Sequence, residues 1–189
     1  MQKKCFFIVL FLVPFSMFAA DFPRPTNNLM STEYVSEKKM RYVKKPITAA
    51  GKILMYSQDE LVYTQDEPAA FVVTKTAKAV TYQREKMAPI RIDLSDPSAA
   101  GQNFDIIALF GDDEQVSRYY DIDVSDEGGV SHYTITPKNE SKIRQMNALA
   151  VGDKLSSLII FYNDGSTLKY TFRNTVTGAK PADYEKYFK

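Results

Sequence analysis

The chain of 189 residues carries 24 basic and 23 acidic side chains, with one histidine, one cysteine and no tryptophan. So even a balance, with no basic stripe, excludes a protein that binds nucleic acid by neutralising phosphates. A single thiol excludes a disulfide scaffold, and the length suits one domain with a core of its own.

At the N-terminus, "MQKK" is a basic start, "CFFIVLFLVPF" an apolar stretch and "SMFAA" a small-residue end. This pattern predicts a secretory signal peptide over residues 1–20, cleaved after Ala20. A spanning anchor would need about twenty apolar residues and is the weaker reading. Cleavage leaves 169 residues with 22 basic and 23 acidic groups and no cysteine, which suits a soluble exported protein. Residues 21–31, with Pro23 and Pro25, read as an extended leader, and residues 32–189 as a single domain. "TEYVSEKKMRYVKKP", 32–46, fits either a helix or a long strand and ends at Pro46.

From "GKILMY" (51–56) onward the pattern is clearer. "ELVYTQ" (60–65), "AAFVVT" (69–74) and "AVTYQ" (79–83) are short, β-branched or aromatic, and separated by turn residues, so they predict antiparallel strands. In 97–110 the period changes: Phe104, Ile107 and Phe110 recur at intervals of three, with Ser98 as N-cap and Gly111 as stop. One helix of about ten residues is expected there. "EQVSRYY" adds a short second helical turn. The sheet then resumes with "YDIDVS" (120–125), a turn at "DEGG", "VSHYTITP" (130–137) and "IRQMNALAVG" (143–152).

The last pair of strands, "LSSLIIFYNDGSTLKYTFRN" (155–174), defines a face. Asn163-Asp164-Gly165 suits a three-residue loop with a left-handed glycine. That loop sets Tyr162 opposite Ser166, Ile160 opposite Leu168 and Leu158 opposite Tyr170, with Phe172 on the same side. A two-residue loop would shift the first strand and turn out the opposite set. Either register implies a sheet buried on one side and wet on the other.

Groups suited to catalysis are scarce. His132 reads as a surface strand residue, and after cleavage no Cys–His pair is possible. Asp121, Asp123 and Ser125 alternate as in a calcium loop, but the sixth position is Asp126 where the bend needs glycine, so a strand and hairpin is the better reading. No phosphate loop appears, no cofactor is expected, and the chain reads as a binding protein rather than an enzyme.

The order of these segments, with Pro46-x-x-x-x-Gly51, "DEL" before a strand, "GDDEQVSRYY", "TPK" and the "DG" hairpin, resembles the periplasmic outer-membrane lipoprotein carrier (LolA-like) family across nearly the whole mature chain. The resemblance implies a mainly β fold: a half-open antiparallel β-barrel covered by one or more short helices. It implies a monomeric periplasmic carrier that binds the acyl chains of a lipoprotein or related lipid. A donor complex at the inner membrane and an acceptor at the outer membrane would be its partners. On that expectation the cargo-binding face comprises Leu54, Leu61, Tyr63, Phe71, Val73, Tyr133, Ile135, Leu158, Ile160, Leu168, Tyr170 and Phe172, under Phe104, Ile107 and Phe110. In such carriers an arginine on the strand after "DEL" helps hold the closed lid; Val62 stands at that place here. A lipid-sensing domain without a transfer role is the alternative, and the 24 Phe and Tyr residues would also fill a closed sandwich.

Overall fold

The computed structural model describes residues 22, 30–57, 59–94, 113–178 and 184–188. Eleven strands follow in chain order: β1 (Met30–Lys39), β2 (Ile47–Met55), β3 (Leu61–Glu67), β4 (Phe71–Lys75), β5 (Ala79–Arg84), β6 (Ile90–Asp93), β7 (Tyr120–Glu127), β8 (Val130–Pro137), β9 (Ile143–Val151), β10 (Lys154–Tyr162) and β11 (Thr167–Thr177). Helix α1 (Asp113–Tyr119) precedes β7, and α2 (Tyr184–Phe188) follows β11. The helix expected over 97–110, with Phe104, Ile107 and Phe110, lies outside the described residues.

All strands form one antiparallel sheet in the order β6-β5-β4-β3-β2-β1-β11-β10-β9-β8-β7. Two meanders, β1 to β6 and β7 to β11, are joined by the single non-sequential pair, β1 with β11. Among the described residues the sheet is open, with β6 and β7 at its edges. Eleven strands of normal twist curl, giving an inner and an outer face.

The ambiguous N-terminal segment is a strand. Its inward positions are Met30, Thr32, Tyr34 and Ser36, all buried. Two of these are hydroxyl residues, which disguises the alternation. Thr32 sits where the β1–β11 register shifts, and its hydroxyl bonds the Arg173 carbonyl at 3.2 Å and the Thr175 hydroxyl at 2.8 Å. Residue 22, in the expected leader, is also part of the core: the Phe22 ring meets Tyr133 edge-on at 5.3 Å.

The last hairpin has the three-residue loop. Leu158 faces Tyr170 and Ile160 faces Leu168. Tyr162 N donates to Ser166 O at 3.0 Å, and Gly165, at φ 82°, donates back to Tyr162 O at 3.1 Å. Asp164 Oδ1 accepts from both Ser166 N (2.8 Å) and Ser166 Oγ (2.6 Å), which holds its carboxyl below the ordinary carboxylate range.

Candidate functional site

The inner face is one continuous apolar cluster that draws on β1–β5 and β7–β11. Ile53, Leu61, Ile135, Met146, Leu158 and Ile160 are fully buried within it. Burial grades along the strands. At the end defined by Met30, Met55 and Leu61, the inner side chains are sealed. Of the seven partly buried members, Phe71, Tyr82, Tyr120, Tyr162 and Leu168 all lie at the opposite end. The other two, Ile122 and Val124, are on the edge strand β7. Among the described residues the apolar face therefore has a fully buried end and a half-buried end, the mouth.

A run of aromatic rings crosses the face from that mouth. Tyr82 meets Phe71 at 5.3 Å, Phe71 meets Tyr63 at 5.7 Å, and Tyr63 stacks on Tyr34 at 5.1 Å and 13°. Tyr34 then meets Tyr170 edge-on at 5.5 Å, and Tyr170 stacks with Phe172 at 6.1 Å. The Tyr34–Tyr63 stack passes over β2, and Gly51 makes room for it. Gly51 lies opposite Tyr34, at a register shift between β2 and β3. A Cβ there would overlap the Thr64 carbonyl oxygen and fall 2.8 Å from the Tyr34 hydroxyl.

The hydroxyls of this run are satisfied by one another. The Tyr63 hydroxyl is hydrogen-bonded to those of Tyr34 and Tyr170, and Tyr34 donates to Thr64 O at 2.9 Å. Thr64 Oγ1 in turn accepts from Lys52 N at 3.1 Å, bridging the irregular ladder. Burial pushes the Tyr34 and Tyr63 phenols well above their ordinary range, against a smaller lowering from the hydrogen bonds of Tyr63 to Tyr34 and of Tyr170 to Tyr63. The network lets polar rings pack into an apolar interior at little cost, since unpaired buried hydroxyls would each cost about 1–3 kcal/mol.

The structure brings together Leu61, Tyr63, Phe71, Val73, Tyr133, Ile135, Leu158, Ile160, Leu168, Tyr170 and Phe172 on the inner face. Leu54 belongs elsewhere. It packs on the outer face with Tyr56, Val62 and Val72, beneath Tyr187 and Phe188 of α2. The expectation that Leu54 lies on the inner face is thus corrected: β2 is apolar on both sides because α2 covers its back. Val62, with 0% exposure, shares that outer patch, so a side chain at this position points away from the inner face. Sequence reasoning missed Tyr34, Ile53, Met55, Tyr82 and Met146. The cross-strand alternation of β9 could have found Met146.

His132 is exposed, on β8 between Ser125 and Leu149. Asp121, Asp123 and Ser125 are exposed along the edge strand β7, ahead of the Gly128-Gly129 turn. Among the described residues no group of three acidic, histidine or cysteine side chains could hold a metal ion. Among them, too, no helix is long and apolar enough to cross a membrane.

These features define a class: single-sheet, one-sided half-barrels with an apolar inner face. The chain belongs to the LolA family, described as outer membrane lipoprotein carrier protein LolA, whose model matches residues 65–189. No curated protein matches the sequence. A LolA superfamily protein from Nitrosomonas europaea superimposes with a TM-score of 0.53 at 8% identity, over 87% of this chain and 91% of that one, and shows the shared fold. A DUF1329 family protein from Desulfovibrio piger gives 0.49 at 12% identity, covering 86% of this chain and 92% of its own. A chain of the Pseudomonas aeruginosa MucA/MucB complex gives 0.46 at 11%, covering 85% of this chain and 55% of that one. The last two are too distant to carry an argument.

Proposed function

We propose that this protein is a periplasmic carrier that shields the acyl chains of a lipoprotein or related lipid against its inner face. Cargo would pass from a donor at the inner membrane to an acceptor at the outer membrane. The observation that carries the reading is the graded inner face: a sealed apolar floor, a half-buried rim of Phe71, Tyr82, Tyr120, Tyr162 and Leu168, and an aromatic run between them. Family membership supports it. Each methylene withdrawn from water contributes about 0.8 kcal/mol, so ten would contribute roughly 8 kcal/mol without any directional bond. Binding is then burial and release, with no cofactor. The direction of transfer follows from relative affinities of donor, carrier and acceptor.

The test is mass spectrometry of the protein purified gently from its own periplasm. A co-purifying acylated peptide identifies a lipoprotein carrier, and a non-protein acyl lipid identifies a related lipid as cargo. A chain that carries nothing and rejects an apolar fluorescent probe overturns the proposal. Leu168→Asp places a charge on the half-buried rim and should abolish probe binding while the fold persists. A lipid that binds but never moves between donor and acceptor vesicles would replace the carrier reading with a sensing one.

A further inference from the structure

The mouth of the inner face lies at the end of the sheet where β1 turns into β2, and this turn has an unusual surface. Between residues 37 and 47 there are five cations, Lys38, Lys39, Arg41, Lys44 and Lys45, against the single carboxylate of Glu37. That carboxylate is already bonded to Lys39 at 3.1 Å. Three apolar side chains project among the cations: Tyr42 is 88% exposed, Val43 46% and Ile47 47%. Solvent alone does not explain so exposed an aromatic beside two aliphatic groups, because a solvated turn gains nothing from them. The turn is built, with Val43 N bonded to Met40 O at 3.1 Å and the Arg41 guanidinium set 5.5 Å over the Tyr42 ring. It leans on the neighbouring hairpin: Arg41 Cδ lies 3.8 Å from where a Cβ on Gly165 would stand, and Lys38 lies over the Tyr162 ring at 5.8 Å.

We propose that the β1–β2 turn is a membrane-contact site that seats the mouth of the sheet on an anionic lipid surface. Tyr42, Val43 and Ile47 would enter the interfacial layer, where an amphipathic ring and short aliphatic groups are favoured, while the flanking cations meet lipid phosphates. Charge complementarity selects this partner: the mature chain is nearly neutral, so attraction to an anionic bilayer must be local, and this turn concentrates it. Rim residues Tyr162 and Leu168 lie beside it on β10 and β11, so contact here would bring the apolar rim towards the bilayer. The turn precedes residues 65–189, the part matched by the family model. The inference stands independently of which cargo the inner face takes.

The chain has no tryptophan, so Tyr42→Trp introduces a single fluorescent reporter at an exposed site. With vesicles of phosphatidylethanolamine and phosphatidylglycerol, its emission should shift to the blue and be quenched by brominated acyl chains. Pure phosphatidylcholine or high salt should abolish both effects. Adding Lys44→Gln and Lys45→Gln should weaken binding about 25-fold, roughly fivefold for each cation lost near the surface. These positions are exposed, so the variants should melt with the parent. Emission indifferent to anionic vesicles would overturn the proposal, as would equal affinity after the lysine changes. A blue shift produced by a periplasmic protein but not by lipid would overturn it too.

Discussion

Replacing Gly51 by alanine tests the packing that holds the aromatic run together. The added methyl would overlap the Thr64 carbonyl and crowd the Tyr34 hydroxyl from 2.8 Å. The first contact is backbone, so β2 and β3 must separate rather than a side chain swing aside. Overpacking of this kind costs about 1–3 kcal/mol. Displacing the Tyr34 hydroxyl from Thr64 O leaves two buried polar atoms without that bond, adding about 1–3 kcal/mol. The sum, about 4 kcal/mol, is a large share of the stability of an ordinary domain. For a chain of this size it corresponds to a fall in Tm of roughly 8–16 °C. Circular dichroism melts of G51A, Y34F and the double variant would measure it. Y34F alone should cost about 1–2 kcal/mol. Because it also removes one of the three atoms nearest the added methyl, the double variant should lose less than the sum of the singles. A G51A protein melting within about 2 °C of the parent would refute the close approach of these strands.

Two further outcomes follow from the same interior. The Tyr34 and Tyr63 phenols are held protonated by burial, so the folded chain keeps protons that the unfolded chain releases above the ordinary value of 10.0. Their stabilisation is complete below about pH 10 and is lost as pH rises past it, so these two phenols should ionise only as the chain unfolds on the alkaline side. Reversible titration of these groups in a chain that stays folded would contradict this. On the outer face, Phe188 meets Tyr56 edge-on at 5.4 Å. Phe188→Ala should cost about 1–3 kcal/mol in urea denaturation and leave binding at the inner face unchanged.

Most of the sheet was legible because its strands alternate and its turns carry specific chemistry. Asn163-Asp164-Gly165 fixed a register that the pairing of Leu158 with Tyr170 bears out. Face assignment failed where alternation was absent. Ile53, Leu54, Met55 and Tyr56 are all buried, because α2 covers the back of a strand whose front is already core. A continuous apolar run cannot say which of its residues face inward. In β1 the opposite difficulty arose: Thr32 and Ser36 occupy inward positions, and only the distant Arg173 and Thr175 reveal why a hydroxyl is tolerated at Thr32. The short edge strand β6 gave no signal, since its residues are mostly exposed. The burial of Phe22 depends on Tyr133, a contact that local pattern does not encode.

The pairing of β1 with β11 joins the two halves of the sheet through the earliest and latest strands of the fold, Met30 meeting Thr177. Neither meander alone can build the inner face that both share. The central seam thus forms only when the final strand is available, and closing so long a loop is slow because its entropy must be lost before any contact is gained. A nascent chain of this topology stays without its central seam throughout synthesis.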